Sequence, residues 1–455
     1  QEPIRVRGVV TARQLSEEPA DIAPEKPLLW RCYRVEFCDP ARAYWRHHFP
    51  VALLTNESWL NALKAQAGAL FQVSSTFAAV TQERPQLFIH APRDRQLSFY
   101  DFVLWLLDGF GGCWIYDYES GDYQLAADES STAKEAALFG DDVQRVAVSA
   151  RPRDLAQPRV LNSYALGPAT LSPQVEGALA PVFADQLLRT AVLAEQDAAA
   201  QLEVGTRDQG GLGVRLTLGA LSPALGAPGA QLVCRPKQRF AASSLILQGK
   251  FRVHALWLEA VATSPDLDTE HQRDSVAMSV ACEIDLKQST DVRPVRRSGA
   301  APHYPGLLEG LVVSEQGAKS DLTWDMVQAE GTQAEQVVVS VPLFEKAVSV
   351  PFEPGFDSFN TFRPRARDER VLVALDLHTA HLVRTLSFRA EAILPADVCG
   401  EQLVFGKSAK SITKLSHQYA GEEPVLDLLR THEQDQVRFT MSEGKLTIFV
   451  AQQEG

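Results

Sequence analysis

The chain has 455 residues, too long for one ordinary hydrophobic core, so three or four domains are expected. Its 57 acidic against 44 basic side chains give a net charge of −13, which opposes a phosphate backbone and argues against nucleic-acid binding as a main role. No apolar run approaches the roughly 18–20 residues that cross a bilayer as a helix; the longest, Phe102 to Trp114, is broken by Asp108, Gly109, Gly111 and Gly112.

The chain opens on Gln1 without a signal-peptide pattern, and a processed or truncated start is expected. In the first segment, 1–150, a strand is expected from Ile4 to Thr11, followed by an acidic, Pro-containing loop. Trp30 to Phe37 alternates as a half-buried strand would. Ser58 can cap a helix in which Trp59, Leu60, Leu63, Ala67 and Leu70 share a face. Ser98 and Asp101 form a loose capping box for a helix carrying Phe102, Val103, Trp105, Leu106 and Leu107, which should stop at the glycines. Trp114 to Tyr118 and Tyr123 to Leu125 flank a polar turn and predict a β-hairpin.

The second segment, 151–300, predicts a long Ala- and Leu-rich helix from near Pro181 to Glu203. Strands follow. Phe251 to Ala262 is apolar on both faces, which suits burial between layers or subunits. Val276, Met278, Val280, Cys282, Ile284 and Leu286 form one face of another strand. In the third segment, 301–395, short strands at Leu307–Ser314, Gln336–Val341, Arg370–Leu377 and Val383–Ala390 predict a small barrel. The fourth, 396–455, alternates strongly. Val437, Phe439 and Met441 lie on one face, and beyond the Glu443-Gly444 turn so do Leu446, Ile448 and Val450.

Residues able to carry chemistry are few. Asp117, Glu119 and Asp122 cluster on a hairpin turn, where solvent prevents the burial that splits the pKa values of an acid/base pair. His378 and His381 are three apart but sit in strand and turn with no third metal ligand beside them. His47 and His48 lack a partnering motif and read as a polar surface or loop pair. Gly205 to Gly213 follows a helix instead of preceding one, so it reads as a loop with no phosphate site. Phe99, Tyr100, Phe102 and Trp105 have the spacing of a helix core. Cys32, Cys38, Cys113, Cys234, Cys282 and Cys399 are spread as free thiols, with no zinc or disulfide spacing. No catalytic, cofactor-binding or metal residue is assigned.

The order of these pieces resembles the VgrG spike proteins of the type VI secretion system and the fused hub-and-spike proteins of contractile phage tails. Gly8 to Thr11, the run Ser98 to Leu107, Trp114 to Tyr118 and Tyr123 to Asp128 are similar to strands and a helix of the family's hub. Leu308 to Val313 and Pro364 to Val373 resemble the family's oligonucleotide/oligosaccharide-binding (OB) barrel, with Asp368 near the place of the usual Gly. Gly406 to Thr413 resembles the start of its intertwined β-prism. The family's further barrel ahead of Gly8 is expected to be absent or lost, and the prism is expected to be short.

The resemblance implies a mainly β fold with some α: tandem tube-like hub barrels over 1–150 and 151–300, an OB-type barrel over 301–395, and the start of a trimeric β-prism over 396–455. It implies a homotrimer with no cofactor and no enzymatic activity. Implied partners are an Hcp-like tube hexamer, baseplate proteins, and a PAAR-like tip protein or an effector, with a target membrane met only by puncture. The protein would be made in a bacterial cytoplasm and assembled into a secreted apparatus or a phage tail. A phage or extracellular-particle hub is the nearest alternative, and an OB-barrel carbohydrate-binding protein or lytic enzyme is the alternative of another class.

Overall fold

A computed structural model describes residues 6–20, 28–129, 135–139, 143–165, 168–189, 211–219, 228–235, 249–262, 278–291, 301–317, 323–328, 335–352, 365–387, 401–408 and 411–452, with single positions between 196 and 244. The chain divides into two units: 1–50, 58–83 and 91–302 form the first, and 51–57, 84–90 and 303–455 the second. Both are mostly β.

The first unit opens with an antiparallel hairpin, β1 (Val9–Ala20) and β2 (Leu28–Cys38). The strand therefore runs through Ser16 to Pro19, where the sequence predicts a loop. Pro19 cannot donate to a ladder, but β1 pairs with β2 alone and has a free edge where a missing donor costs little. The segment Trp30 to Phe37 is a strand as expected, yet it is not half-buried: Tyr33, Val35 and Phe37 are all exposed in the single chain.

Next along the chain come α1 (Pro40–Trp45), β3 (Val51–Ser58), α2 (Trp59–Ala67), β4 (Val73–Ser75), α3 (Ala78–Thr81), β5 (Glu83–His90), α4 (Phe99–Phe110), β6 (Cys113–Tyr116) and β7 (Tyr123–Ala126), of which β3 and β5 pair with each other and belong almost wholly to the second unit. Strands β4, β7 and β6 form one small sheet. The two predicted caps are in place. Ser58 Oγ accepts from Asn61 N at 3.2 Å and Ser98 Oγ from Asp101 N at 3.2 Å, each using an N–H that the first helical turn leaves over. Helix α4 ends at Gly111, whose φ of +66° suits a residue without Cβ. Phe99, Phe102, Leu106 and Leu107 are buried, and Trp45 packs edge-on to Phe99 at 4.8 Å and to Phe71 at 5.0 Å.

The rest of this unit is built on a six-stranded sheet ordered β8-β14-β15-β16-β13-β9, from β8 (Glu135–Phe139), β9 (Val143–Arg151), β13 (Gly211–Leu218), β14 (Gln231–Arg235), β15 (Phe251–Ala262) and β16 (Met278–Gln288). Leu216, Leu232, Val253, Cys282, Ile284 and Leu286 fill its core. Of the Gly-rich stretch, Gly211 to Gly213 start β13, and 205–210 lie outside the described residues. A second sheet is ordered β11-β10-β12, from β10 (Gln157–Asn162), β11 (Ala169–Leu171) and β12 (Phe183–Leu188).

Strand β12 corrects the long helix expected from Pro181. Phe183 to Leu188 pair in parallel with β10, Arg159 is ion-paired to Asp185 at 2.6 Å, and its guanidinium lies 3.8 Å from the Phe183 ring. A tertiary ladder overrides the local helix propensity of Ala and Leu here. Helical backbone is found only at the described positions between 196 and 204.

The second unit holds a sheet of β17 (Gly306–Val312), β18 (Val327–Gln328), β19 (Glu335–Val341), β20 (Lys346–Pro351), β21 (Arg370–Leu375) and β22 (Ala380–Ser387). Leaving out the short β18, the ladder runs β20-β19-β17-β21-β22. Strand β20 also lies against β22, so the sheet curls toward closure. Val312, Val337, Val339, Val341, Val348, Val350, Val371 and Val373 point inward. Gly310 is required by close approach, since a Cβ there would stand 2.4 Å from Val339 Cγ1 and 2.9 Å from the Ser340 carbonyl oxygen. After the barrel, β23 (Glu401–Ser408), β24 (Ser411–Ala420), β25 (Glu423–His432), β26 (Asp435–Ser442) and β27 (Lys445–Ala451) form a five-stranded antiparallel meander.

Candidate assembly interface

The residues singled out for chemistry do not converge. Asp117 Oδ1 accepts from Glu119 N at 2.8 Å and Ser120 N at 3.3 Å, so this carboxylate closes its own turn, and Glu119 and Asp122 are exposed around it. His381 is exposed, 3.6 Å from Asp376. His378 is half-buried, and burial, with help from the Arg84 charge, pushes its imidazole down to about 3. It is therefore neutral at physiological pH. His48 Nε2 bonds Gln66 Oε1 at 2.6 Å and meets the edge of Phe99, while His47 is exposed. Phe99 and Phe102 are core residues, as their spacing predicts. Among the described residues no group of three or more His, Cys, Asp or Glu could hold a metal ion. Cys113 is buried, and burial with the nearby Glu129 charge raises its thiol to about 12, far from a reactive thiolate.

The sheets, in contrast, present bare apolar faces. In the meander, partners in register are Leu403 with Leu415, Leu415 with Leu428, Leu428 with Phe439, and Phe439 with Ile448. Paired residues point to one face, so a single apolar row crosses all five strands. Its members are 37–57 % exposed. Met441, Leu446 and Val450 extend the row on the same face and are exposed as well.

The opposite face of the meander is mixed: a polar row satisfies itself, beside a row of Lys414, Leu429, Arg438 and Phe449. Gln402, Ser416, Asp427, Thr440 and Thr447 are in register across it. Asp427 is buried and accepts from both nitrogens of the Arg438 fork and from Thr440. Burial pushes the Asp427 carboxyl up, but these bonds and the Arg438 charge outweigh it and hold the group below the usual carboxylate range. The two faces thus differ in kind: one is an unbroken apolar row left in water, and the other pairs its buried charge within one chain and carries the exposed Phe449 beside that pair.

The sequence identified the apolar positions of β26 and β27. It missed Leu403, Leu415 and Leu428 as members of the same row. Their alternation is visible, but the register that aligns them is long-range and is fixed only by the turns.

No protein-family model matches the chain, and no curated protein matches it. Among solved structures, a chain of the lidless PdpA–VgrG complex superposes with a TM-score of 0.67 at 13% identity, over 96% of this chain and 82% of that one. The chain shares its fold with a component of that complex. The Francisella PdpA–VgrG complex gives the same result in two further forms. The lidded form has a TM-score of 0.68 at 12% identity, covering 96% of this chain and 67% of the other. The half-lidded form has 0.67 at 13%, covering 96% and 73%. At such identity the likeness is one of fold, a β-rich architecture.

Proposed function

We propose that the chain is a structural hub-and-spike component of a contractile injection apparatus, working as a homotrimer. The observation that carries this is the apolar row from Leu403 to Ile448, which a single chain leaves in water. Five side chains about half exposed would each contribute roughly 1 kcal/mol per copy on being covered. Three meanders that turn these faces inward form a prism in which the apolar row is covered.

Two further features support the reading. The ring β17-β19-β20-β22-β21 has strand order 1-2-3-5-4, which is the order of an OB-type barrel. It stands directly before the meander, as the resemblance requires. Asp368, near the place where the family's pattern has Gly, has φ of +60°, a conformation that favours glycine. The fold likeness to the PdpA–VgrG complex agrees with an apparatus of type VI secretion or phage-tail kind.

In this role the molecule matches a six-fold tube ring to a three-fold spike, seats on baseplate proteins, and carries a tip protein or effector. It transmits thrust to a target membrane and needs no catalytic residue. Its work would be mechanical, borne by strand ladders, in an apparatus assembled from bacterial cytoplasm.

The mass in solution tests the proposal. At micromolar concentration, sedimentation or light scattering should give three times the 50.0 kDa of one chain. A stable monomer in which residues 401–452 keep their strand structure would overturn it.

A further inference from the structure

A second bare surface lies in the first unit, on the β1–β2 hairpin. Its register puts Val10 opposite Phe37, Arg13 opposite Val35 and Leu15 opposite Tyr33 on one face. Ala12 with Glu36 and Gln14 with Arg34 lie on the other. The first face is apolar and exposed, Tyr33 to 67 % and Phe37 to 55 %. Arg13 stands in the middle of it with no acid on that face except Glu17, which bonds Arg31 at 2.9 Å. A two-stranded ribbon is marginal in water unless something covers its apolar side.

The same unit carries one surface of complementary pattern. Strands β15 and β16 run on together past the end of the β16 ladder with β13, which stops at Cys282. On this overhang Trp257, Glu259 and Val261 follow at alternate positions and share a face with their β16 partners Glu283, Ala281 and Ser279. Trp257 is 49 % and Val261 56 % exposed, and Glu259 lies exposed between them. The β15 edge over 255–262 has no ladder partner among the described residues. One surface is apolar around the cation of Arg13, and the other sets Trp257 and Val261 around acids, the exposed Glu259 and the half-buried Glu283 beside it.

We infer that the β1–β2 arm of one copy docks on the β15–β16 overhang of a second copy, with Arg13 against Glu259. The occupant is a second copy because both surfaces belong to one unit and both stay exposed within it. Each chain offers one arm and one overhang, so the contact is head-to-tail and a ring of copies can close. Neither ion needs to be deeply buried for specificity: opposite charges set in apolar surrounds select the register and reject a shifted one. This inference rests on the assembly of copies proposed above, and it adds a seam in the hub distinct from the one in the spike.

Charge reversal tests it, read as the dilution at which the trimer dissociates. Arg13→Glu and Glu259→Arg should each weaken association about tenfold or more, because each sets like charges together. The double variant Arg13→Glu/Glu259→Arg restores the pair and should return within about threefold of the parent, as a coupled pair must. Arg34→Glu, on the opposite face of the arm, should change nothing. Near-ultraviolet circular dichroism confirms that each variant is folded. A trimer that both single reversals leave unchanged, or a double variant as weak as the singles, overturns the arm contact while the trimer stands. A parent that is monomeric at every concentration overturns both.

Discussion

Two neighbouring regions of the second unit use the same residues to opposite effect. In the barrel, alternate positions of β19 and β21 carry Val337, Val339, Val341, Val371 and Val373, and all are buried. In the meander, alternate positions of β24 to β27 carry Leu415, Leu428, Phe439 and Ile448, and all stand in water. Apolar alternation is equally regular in both. The difference is closure: β20 returns against β22 and folds the barrel over its own apolar side, whereas β23 and β27 are the open ends of a five-stranded ribbon. Alternation specifies which face must be covered. The path of the chain decides whether the chain covers it itself.

The largest effect should come from breaking the closed region. Val373→Asp would place a charge among the seven other inward valines and cost about 3 kcal/mol or more, enough to lose the cooperative unfolding of the barrel. Thermal denaturation should show that transition lowered or absent. A Val373→Asp protein with an unchanged melting curve would mean that the barrel interior is wet.

A smaller effect sharpens the same contrast through pH. The closed region traps His378, whose folded-state value is depressed to about 3 by burial and by Arg84. The unfolded imidazole titrates near its ordinary value, about 6.5. Between these values the unfolded state holds more protons, so the histidine's contribution to stability is full above about pH 6.5 and falls as pH drops toward 3. Denaturant midpoints should decline over that window in the parent and less steeply in His378→Gln. At the exposed His381, His381→Ala should stay within about 0.5 kcal/mol of the parent. Equal slopes in parent and His378→Gln would remove the burial assigned to His378.

Local signals in the sequence fared well where the physics is local. Ser58 and Ser98 mark helix starts because capping involves atoms three residues apart, and β15 is found over the full span of its apolar run. Non-local physics was less legible. Residues 183–188 read as helix by composition, but they are held by parallel pairing to a strand some 26 positions earlier. His378 read as part of an open turn. That turn is tied down by Asp376 N to Thr379 O at 2.8 Å and by Gln86 Nε2 to Thr379 O at 2.9 Å, a contact across 293 positions. As for the interface, the sequence offered the alternation of β26 and β27 but not the row of five strands, which exists only once the register is known. The arm was read as half-buried because its alternation is that of a buried strand, and it is bare in a single chain for the same reason that the meander is.

The central claim is that the Leu403 to Ile448 face is a seam between copies and not part of any chain's own core. Sedimentation of Ile448→Asp at micromolar concentration tests it most directly. The account predicts a fall from three copies to one, with the barrel's thermal transition and the strand content of each chain retained, since Ile448 is 57 % exposed and contributes little to its own chain. An Ile448→Asp protein that remains trimeric, or one that unfolds as a monomer along with its barrel, would contradict it.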